Sequence, residues 1–524
     1  MRLPLRRAWT GGCARVRLRF IGVLLLCAAL AVGCGPAGQA APRPSTSTAT
    51  APSPFAIRGV IEGYYGPAWT AGATKDVLAF MGAHGMNTFV YAPKFDPYQR
   101  AQWQQPYPAT RLADLRALVA AGAAAGVTFV YSVSPGLSIT YSSASDRAAL
   151  RAKLAQLRSI GVHWFMLSFD DLNTDTLNAA DAAAYPAGLG QAQVDLVDAV
   201  YAAERRADPA FALMFTPTEY WGTKDDPYTR ALAGLAAAVE VIWTGPGVVA
   251  PEITLAQARA YGALIGRPPL IWYNYPVNDW TVPQQEFAHP ATMQPRDLFL
   301  GAVQGLAPDL AQGVRGILAN PMLEPYASEI PLAGIAAYLS APTDGAAIAR
   351  AWSAEVRAAG GAGAAALQQF AAAEQPYPTV SPTGTYGWSS TDLHDDALEA
   401  QLLAAYATGP AAALAGPAAA ELLQTFLVWT QGPVTLAPDV LAQSSLGEEI
   451  APWVRWMPRD GEAGLDAMNL LSAEAQGDTP RRDLALAAVR GDEATLASQP
   501  LEFGGDLSGF LHKAAAAVGG SSGG

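Results

Sequence analysis

The run His163-Trp164-Phe165-Met166-Leu167-Ser168-Phe169-Asp170-Asp171 is almost unbroken in its apolar character and stops at two adjacent carboxylates. It is too short for an ordinary buried helix and reads as a buried strand. Both acids then sit at the strand's C-terminal end, where parallel α/β folds carry their chemistry. Two desolvated carboxyls side by side titrate as a unit, because the second charge forms against the first. Unless solvent or a cation relieves the repulsion, one acid keeps its proton near neutral pH and the other stays charged. A proton donor beside a charged stabiliser is what acetal hydrolysis uses. An Asp-Asp pair alone also suits a helix N-cap followed by an acid favourable to the helix dipole, so the elements around it have to decide.

From Ile57 onward, short apolar segments alternate with helical stretches rich in Ala and Leu. The strand candidates are residues 57–65, 88–92, 127–133, 164–170, 212–216, 239–244, 269–274 and 316–320. Eight strands with helical intervals inside about 285 residues predict an α/β fold, a (β/α)8 TIM barrel over residues 55–341. Most of these strands end in polar or aromatic residues, among them Gly63-Tyr64-Tyr65-Gly66, Lys94, Ser134-Pro135-Gly136, Glu219-Tyr220, Asn274 with Asn278-Asp279, and Asn320-Pro321. In a barrel they converge on one mouth. Beyond residue 342, long Ala- and Leu-rich stretches such as Ala346 to Glu374 and Asp392 to Thr430 predict an all-α helical bundle domain over 342–515, followed by a flexible tail at 516–524. Trp429, Trp453 and Trp456 read as aromatic core in preference to a sugar platform. The Pro-, Tyr- and Gly-rich break from Gln375 to Trp388 reads as a loop reaching back toward the barrel mouth.

The N-terminus bears on the compartment. Six arginines precede the apolar run Phe20 to Val32, which falls short of the roughly 20 residues a spanning helix needs. Residues 1–33 therefore read as a lipoprotein signal peptide. Ala31-Val32-Gly33-Cys34 is similar to a bacterial lipobox and predicts lipid on Cys34. Residues 34–54, mostly Pro, Ser, Thr, Ala and Gly, read as a tether. The expected location is an extracytoplasmic bacterial membrane surface, or secretion if Cys34 carries no lipid. All three cysteines lie in the first 34 residues, so no disulfide, thiol nucleophile or thiolate metal site is expected in the folded part. Cleavage at that point leaves 27 basic against 45 acidic residues, a charge near −18, which argues against nucleic acid as a partner. The five histidines show no His-Glu-x-x-His pattern and no Gly-rich phosphate loop follows a strand. No metal and no cofactor are expected.

Taken in order, Glu62-Gly63-Tyr64-Tyr65-Gly66, Tyr91-Ala92-Pro93-Lys94, Ser134-Pro135-Gly136-Leu137, Phe169-Asp170-Asp171, Pro217-Thr218-Glu219-Tyr220, Trp243-Thr244-Gly245-Pro246, Ile271-Trp272-Tyr273-Asn274 and Asn320-Pro321 resemble the motifs of the family 84 glycoside hydrolases. The resemblance covers about residues 56–340. It implies a retaining exo-β-N-acetylglucosaminidase acting on β-GlcNAc-terminated glycans or glycoconjugates, in which the 2-acetamido oxygen attacks its own anomeric carbon and forms an oxazoline, an exception to the two-carboxylate scheme. By position, Asp170 would polarise the acetamide N–H, and Asp171 would protonate the leaving oxygen and then deprotonate water. Asp279 would hold the 4- and 6-hydroxyls with help from Asn320, and Lys94 would contact the 3-hydroxyl region. The Gly63 carbonyl would approach the sugar closely. Tyr220 would bond the acetamide oxygen, Trp272 would supply an apolar wall, and Asn274 would bond near the acetamide or the general acid. Many relatives carry two acids after the lysine, whereas here Phe95 precedes Asp96, which bears on the pocket rim. Two other readings are open to the sequence: an endo-acting, hyaluronidase-like glycosidase and a non-catalytic cell-surface glycan-binding protein.

Overall fold

The computed structural model describes residues 53–519 apart from 173–175, 251, 290–292, 377, 381–385, 389–392, 437–439, 443, 502 and 504–506. The expected signal segment, Cys34 and almost all of the tether lie outside the described residues. The tether was expected to run to residue 54, yet Ser53 already donates its hydroxyl to Leu339 O (2.6 Å) and belongs to the folded unit.

Eight parallel strands close into a barrel in sequence order: β1 (Ile57–Glu62), β2 (Thr88–Tyr91), β3 (Thr128–Val133), β4 (Trp164–Ser168), β5 (Ala212–Thr216), β6 (Val239–Trp243), β7 (Leu270–Tyr273) and β8 (Gly316–Ala319). Each falls within the segment expected for it. The intervening helices are α1 (Ala71–Ala83), α2 (Ala109–Ala124), α3 (Ala144–Arg158), α4 (Ala179–Ala184), α5 (Leu189–Ala207), α6 (Pro227–Ala231), α7 (Leu255–Ile265) and α8 (Pro325–Ser340). Between β7 and β8 the described residues hold only short 3₁₀ turns, including Asp279–Thr281 and Gln284–Ala288. Pro276, Pro283, Pro295 and Pro308 remove backbone donors from that stretch and keep it from winding into an α-helix.

Strand alternation sorts the core into two layers. Ile57, Ile61, Val90, Ala92, Val130, Met166, Met214, Leu270, Trp272 and Leu318 fill the barrel interior. Their neighbours Val60, Tyr91, Phe165, Leu167, Phe169, Ile271 and Tyr273 pack outward against the helices. The β1–β2 contact depends on a glycine, since a Cβ on Gly59 would lie 1.7 Å from Thr88 O.

The helical region comprises α9 (Gly345–Gly360), α10 (Ala364–Ala373), α11 (Leu393–Tyr406), α12 (Pro410–Leu414), α13 (Pro417–Leu436), α14 (Ser445–Val454), α15 (Met457–Ala475), α16 (Thr479–Leu496) and α17 (Leu507–Gly519). The last helix runs to Gly519, so residues 516–519, expected to be tail, are helical. Trp429 and Trp453 are buried and Trp456 packs against the same core, in line with the aromatic-core reading. Of the break from Gln375 to Trp388, the described part includes two short antiparallel strands, Pro378–Val380 and Tyr386–Trp388; residues 377 and 381–385, on which an approach to the mouth depends, lie outside the described residues.

Candidate active site

On β4, Met166 points into the barrel and Phe165, Leu167 and Phe169 point out. The same alternation turns Ser168 and then Asp170 inward. Ser168 shares a hydrogen bond with Ser132 of β3 (2.8 Å), a polar layer on which the mouth rests. Parity likewise turns Gly63 inward after Ile61, Lys94 after Ala92, Asn274 after Trp272, and Asn320 after Leu318. Asp171 falls on the wrong parity. Its backbone takes φ +52°, the one positive value outside glycine among the described residues. That left-handed turn, which Asp tolerates better than most residues, brings the second acid to the same cavity as the first.

All nine expected residues, Gly63, Lys94, Asp170, Asp171, Tyr220, Trp272, Asn274, Asp279 and Asn320, line one cavity of about 290 Å³. The two acids differ sharply in environment. Asp170 is buried and its Oδ2 is ion-paired with the buried Lys94 Nζ. Its Oδ1 is buried and has no partner among the described residues. Leaving a buried acceptor unpaired costs about 1–3 kcal/mol, more when it is charged, so this oxygen is set up for a donor brought by a ligand. Asp171 is exposed. Its Oδ2 accepts from Tyr65 OH (2.9 Å) and its Oδ1 from Tyr220 OH (2.8 Å), while its carbonyl accepts from Arg100 Nη2 (3.1 Å). Both phenols are pushed well above their ordinary range, by burial first and by Asp171 next. They therefore stay protonated and donate.

Asp279 opens the 3₁₀ turn after β7, and its Oδ2 accepts from Tyr65 N (2.6 Å). Burial raises its pKa to about 6, against the lowering effect of two backbone N–H groups; Asp171 adds to the rise. Asn320 accepts from Gly63 N (3.2 Å) and donates to Asn274 Oδ1 (2.9 Å), and Asn274 donates to Val248 O (2.7 Å). A Cβ on Gly63 would lie 2.3 Å from Trp272 Cζ2, so glycine there is required by the indole that packs across it. Lys94 Nζ also lies 5.3 Å from the Trp272 ring.

Phe95 meets Tyr65 and Phe287 edge to face, at 6.4 Å from each. Asp96 takes no part in the cavity. It accepts from Tyr91 OH (2.8 Å), Tyr107 OH (2.7 Å) and Tyr98 N (2.9 Å), and so anchors the loop that carries Lys94. Tyr65 and Arg100 received no role from the sequence. Tyr65 shares the inward parity of Ile61 and Gly63, which was a usable signal. Arg100, which also lies 5.5 Å from the Tyr65 ring, gave none. Val248, Val249, Val277 and Trp280 complete the wall from loops. Among the described residues no group of three or more His, Cys, Asp or Glu is placed to hold a metal ion.

A closed parallel barrel with this cavity at its C-terminal mouth is the architecture of a large class of hydrolytic enzymes. The family model for β-N-acetylglucosaminidases matches residues 58–372, and the chain belongs to this family, the family 84 glycoside hydrolases. The protein O-GlcNAcase of Rattus norvegicus is 31% identical over 294 residues, which is 55% of this chain and 30% of that protein; the Mus musculus protein gives the same figures. The chain thus spans less than a third of the length of these relatives. Among solved structures, a mutant of the O-GlcNAc hydrolase of Thermobaculum terrenum is 26% identical with a TM-score of 0.76, covering 88% of this chain and 94% of that one. CpGH84B, 23% identical with a TM-score of 0.74, covers 88% and 77% and shares the fold.

Proposed function

We propose that the chain is a retaining exo-β-N-acetylglucosaminidase that removes terminal β-linked GlcNAc by substrate assistance. The observation that carries this reading is the unequal setting of the two adjacent acids. One is buried, paired with a lysine and left with a bare oxygen; the other is exposed and held by two phenols.

In the first step the acetamide oxygen attacks the anomeric carbon and the glycosidic bond breaks. Asp170 Oδ1 accepts the acetamide N–H, and its charge stabilises the oxazolinium that forms. Asp171 gives its proton to the departing oxygen. In the second step Asp171 takes a proton from water, which opens the ring at the same carbon. Two inversions give retention. Lys94 offsets the charge that Asp170 would otherwise carry into the interior uncompensated. Asp279 and Asn320 grip the far hydroxyls, and a cavity of about 290 Å³ is at the small end of ligand pockets, which suits one pyranose and removal from a chain end. We also propose that lipid on Cys34 holds the enzyme at an extracytoplasmic membrane surface, where it meets its glycoconjugate.

The test is release of phenol from aryl β-N-acetylglucosaminides by the full chain, by Asp171→Ala, and with a substrate whose acetamide is fluorinated. Loss of a general acid costs about 10²–10⁴-fold, so the alanine variant is expected to fail on poor leaving groups and nearly to match wild type on the best. Fluorination, which weakens the attacking oxygen, is expected to slow wild type. Unchanged rates with the fluorinated substrate would remove substrate assistance; binding without release from any aglycone would remove the enzyme reading.

A further inference from the structure

Asp279 sits in a long connection whose described residues form no α-helix, and what fixes it comes from two directions. Asn278, beside it, donates to Asp297 O (3.1 Å) and to Glu324 Oε2 (2.9 Å), and accepts from Leu323 N (3.1 Å). Thr281 Oγ1, two residues on, accepts from Arg296 N (3.1 Å) and Asp297 N (3.3 Å). The turn bearing Asp279 is thus tied to residues 296–297 and to the start of α8.

Both ties are themselves held by α14. Trp453, fully buried, donates its indole N–H to Arg296 O (2.8 Å). Helix α8 has Glu324 at its N-cap without a side-chain cap bond, and Pro325 follows. Its orphan N–H at Ala327 is satisfied by Glu449 Oε2 of α14 (2.8 Å), so a carboxyl from another element serves as the missing cap. The family model ends at residue 372, and α14 lies beyond it.

We infer that α14 of the helical region is a positioning element for sugar recognition: Glu449 and Trp453 fix the turn that presents Asp279 to the distal hydroxyls. The inference rests on the proposed role of Asp279 as their acceptor. It gives the helical region a part in the site without contact with the sugar.

The test measures dissociation constants of N-acetylglucosamine and of its 4-deoxy analogue by calorimetry on the full chain, with thermal unfolding in parallel. These ligands need no turnover, so the result is independent of whether the chain hydrolyses anything. A hydroxyl donating to a carboxylate is worth on the order of tenfold or more, and wild type is expected to prefer the hydroxylated sugar by about that factor. Trp453→Phe, which keeps an aromatic ring of smaller size and removes the donor, and Glu449→Ala are each expected to lower this preference at least threefold while binding of the deoxy sugar stays unchanged. Glu449→Gln, which keeps an acceptor, is expected to restore it. Equal weakening for both sugars, or a preference unchanged in Trp453→Phe and Glu449→Ala alike, overturns the inference. Asp279→Ala separates the two failures: if it leaves the preference intact, the role of Asp279 falls and the inference with it; if it abolishes the preference while the α14 variants do not, only the inference falls.

Discussion

Replacing Asp279 by Asn tests whether the charge on that residue is what holds the sugar. Burial keeps the proton on Asp279 up to about pH 6, against an ordinary value of 3.8. At about 1.4 kcal/mol per pH decade, ionising it in the folded protein costs about 3 kcal/mol more than in water. The sign follows for stability: the raised pKa contributes stability fully below about pH 3.8, and that contribution is lost as pH rises through about 6. Function runs the other way. An ionised carboxylate accepts two hydroxyls, each worth about 1.5–3 kcal/mol, and after desolvation of the sugar a net of about 2–3 kcal/mol remains, or roughly 30- to 150-fold in KM. For an aryl β-N-acetylglucosaminide, kcat/KM is expected to climb as pH rises through about 6, because KM falls while kcat holds. Asp279→Asn is expected to raise KM by that factor, to leave kcat within about threefold, and to erase the limb near pH 6, since kcat/KM reports groups of the free enzyme. A limb near pH 6 that persists in the Asn variant would refute the reasoning.

Three carboxyls where α8 meets α14 carry a second pH dependence. Burial raises Glu324 to about 7, Glu329 to about 7 and Glu449 to about 8, with mutual repulsion adding to the rise at Glu449. Groups that hold protons more tightly when folded stabilise the fold fully below their ordinary value of 4.5 and lose that effect as pH rises to about 8. Thermal midpoints are expected to fall by several degrees between pH 5 and 8, and Glu329→Gln is expected to flatten the decline; a midpoint that rises over this interval contradicts it. At the other end of the chain, the bacterially expressed protein is expected to partition with membranes and to take up labelled fatty acid, and Cys34→Ser to do neither. Labelling that survives the substitution removes the anchor.

Much of the site could be read from the sequence because strand parity is rigid. Once the eight apolar segments are set side by side, every second residue faces the axis: Gly63, Lys94, Asn274 and Asn320 follow from the apolar residues two places earlier, and Asp170 from Met166 four places earlier. Residues fixed by tertiary contact were not legible in this way. Arg100 reaches Asp171 from a loop whose path depends on Asp96 and three tyrosines far apart in the chain. The hold of α14 on the Asp279 turn joins residues separated by more than 150 positions. Among the described residues between β7 and β8 there is no α-helix, and the prolines of that stretch, which remove backbone donors, are the sequence signal for it.

The most consequential step lies between these cases. In an extended strand, neighbours point to opposite faces, so two adjacent acids cannot both enter a barrel mouth while the strand continues. Either the second acid faces the helices, where Phe169 and Leu167 leave an apolar setting hostile to a charge, or the backbone turns over between them. The observed φ of +52° at Asp171 takes the second course, at a cost of order 1–3 kcal/mol that the surrounding contacts must sustain. Tyr65, Tyr220 and Arg100 supply those contacts, two to the carboxylate and one to the carbonyl. The same residues that hold the proposed acid for proton transfer thus hold the backbone in the conformation that puts it beside Asp170. This ties Tyr65 and Tyr220 to the geometry of the proposed catalysis through Asp171.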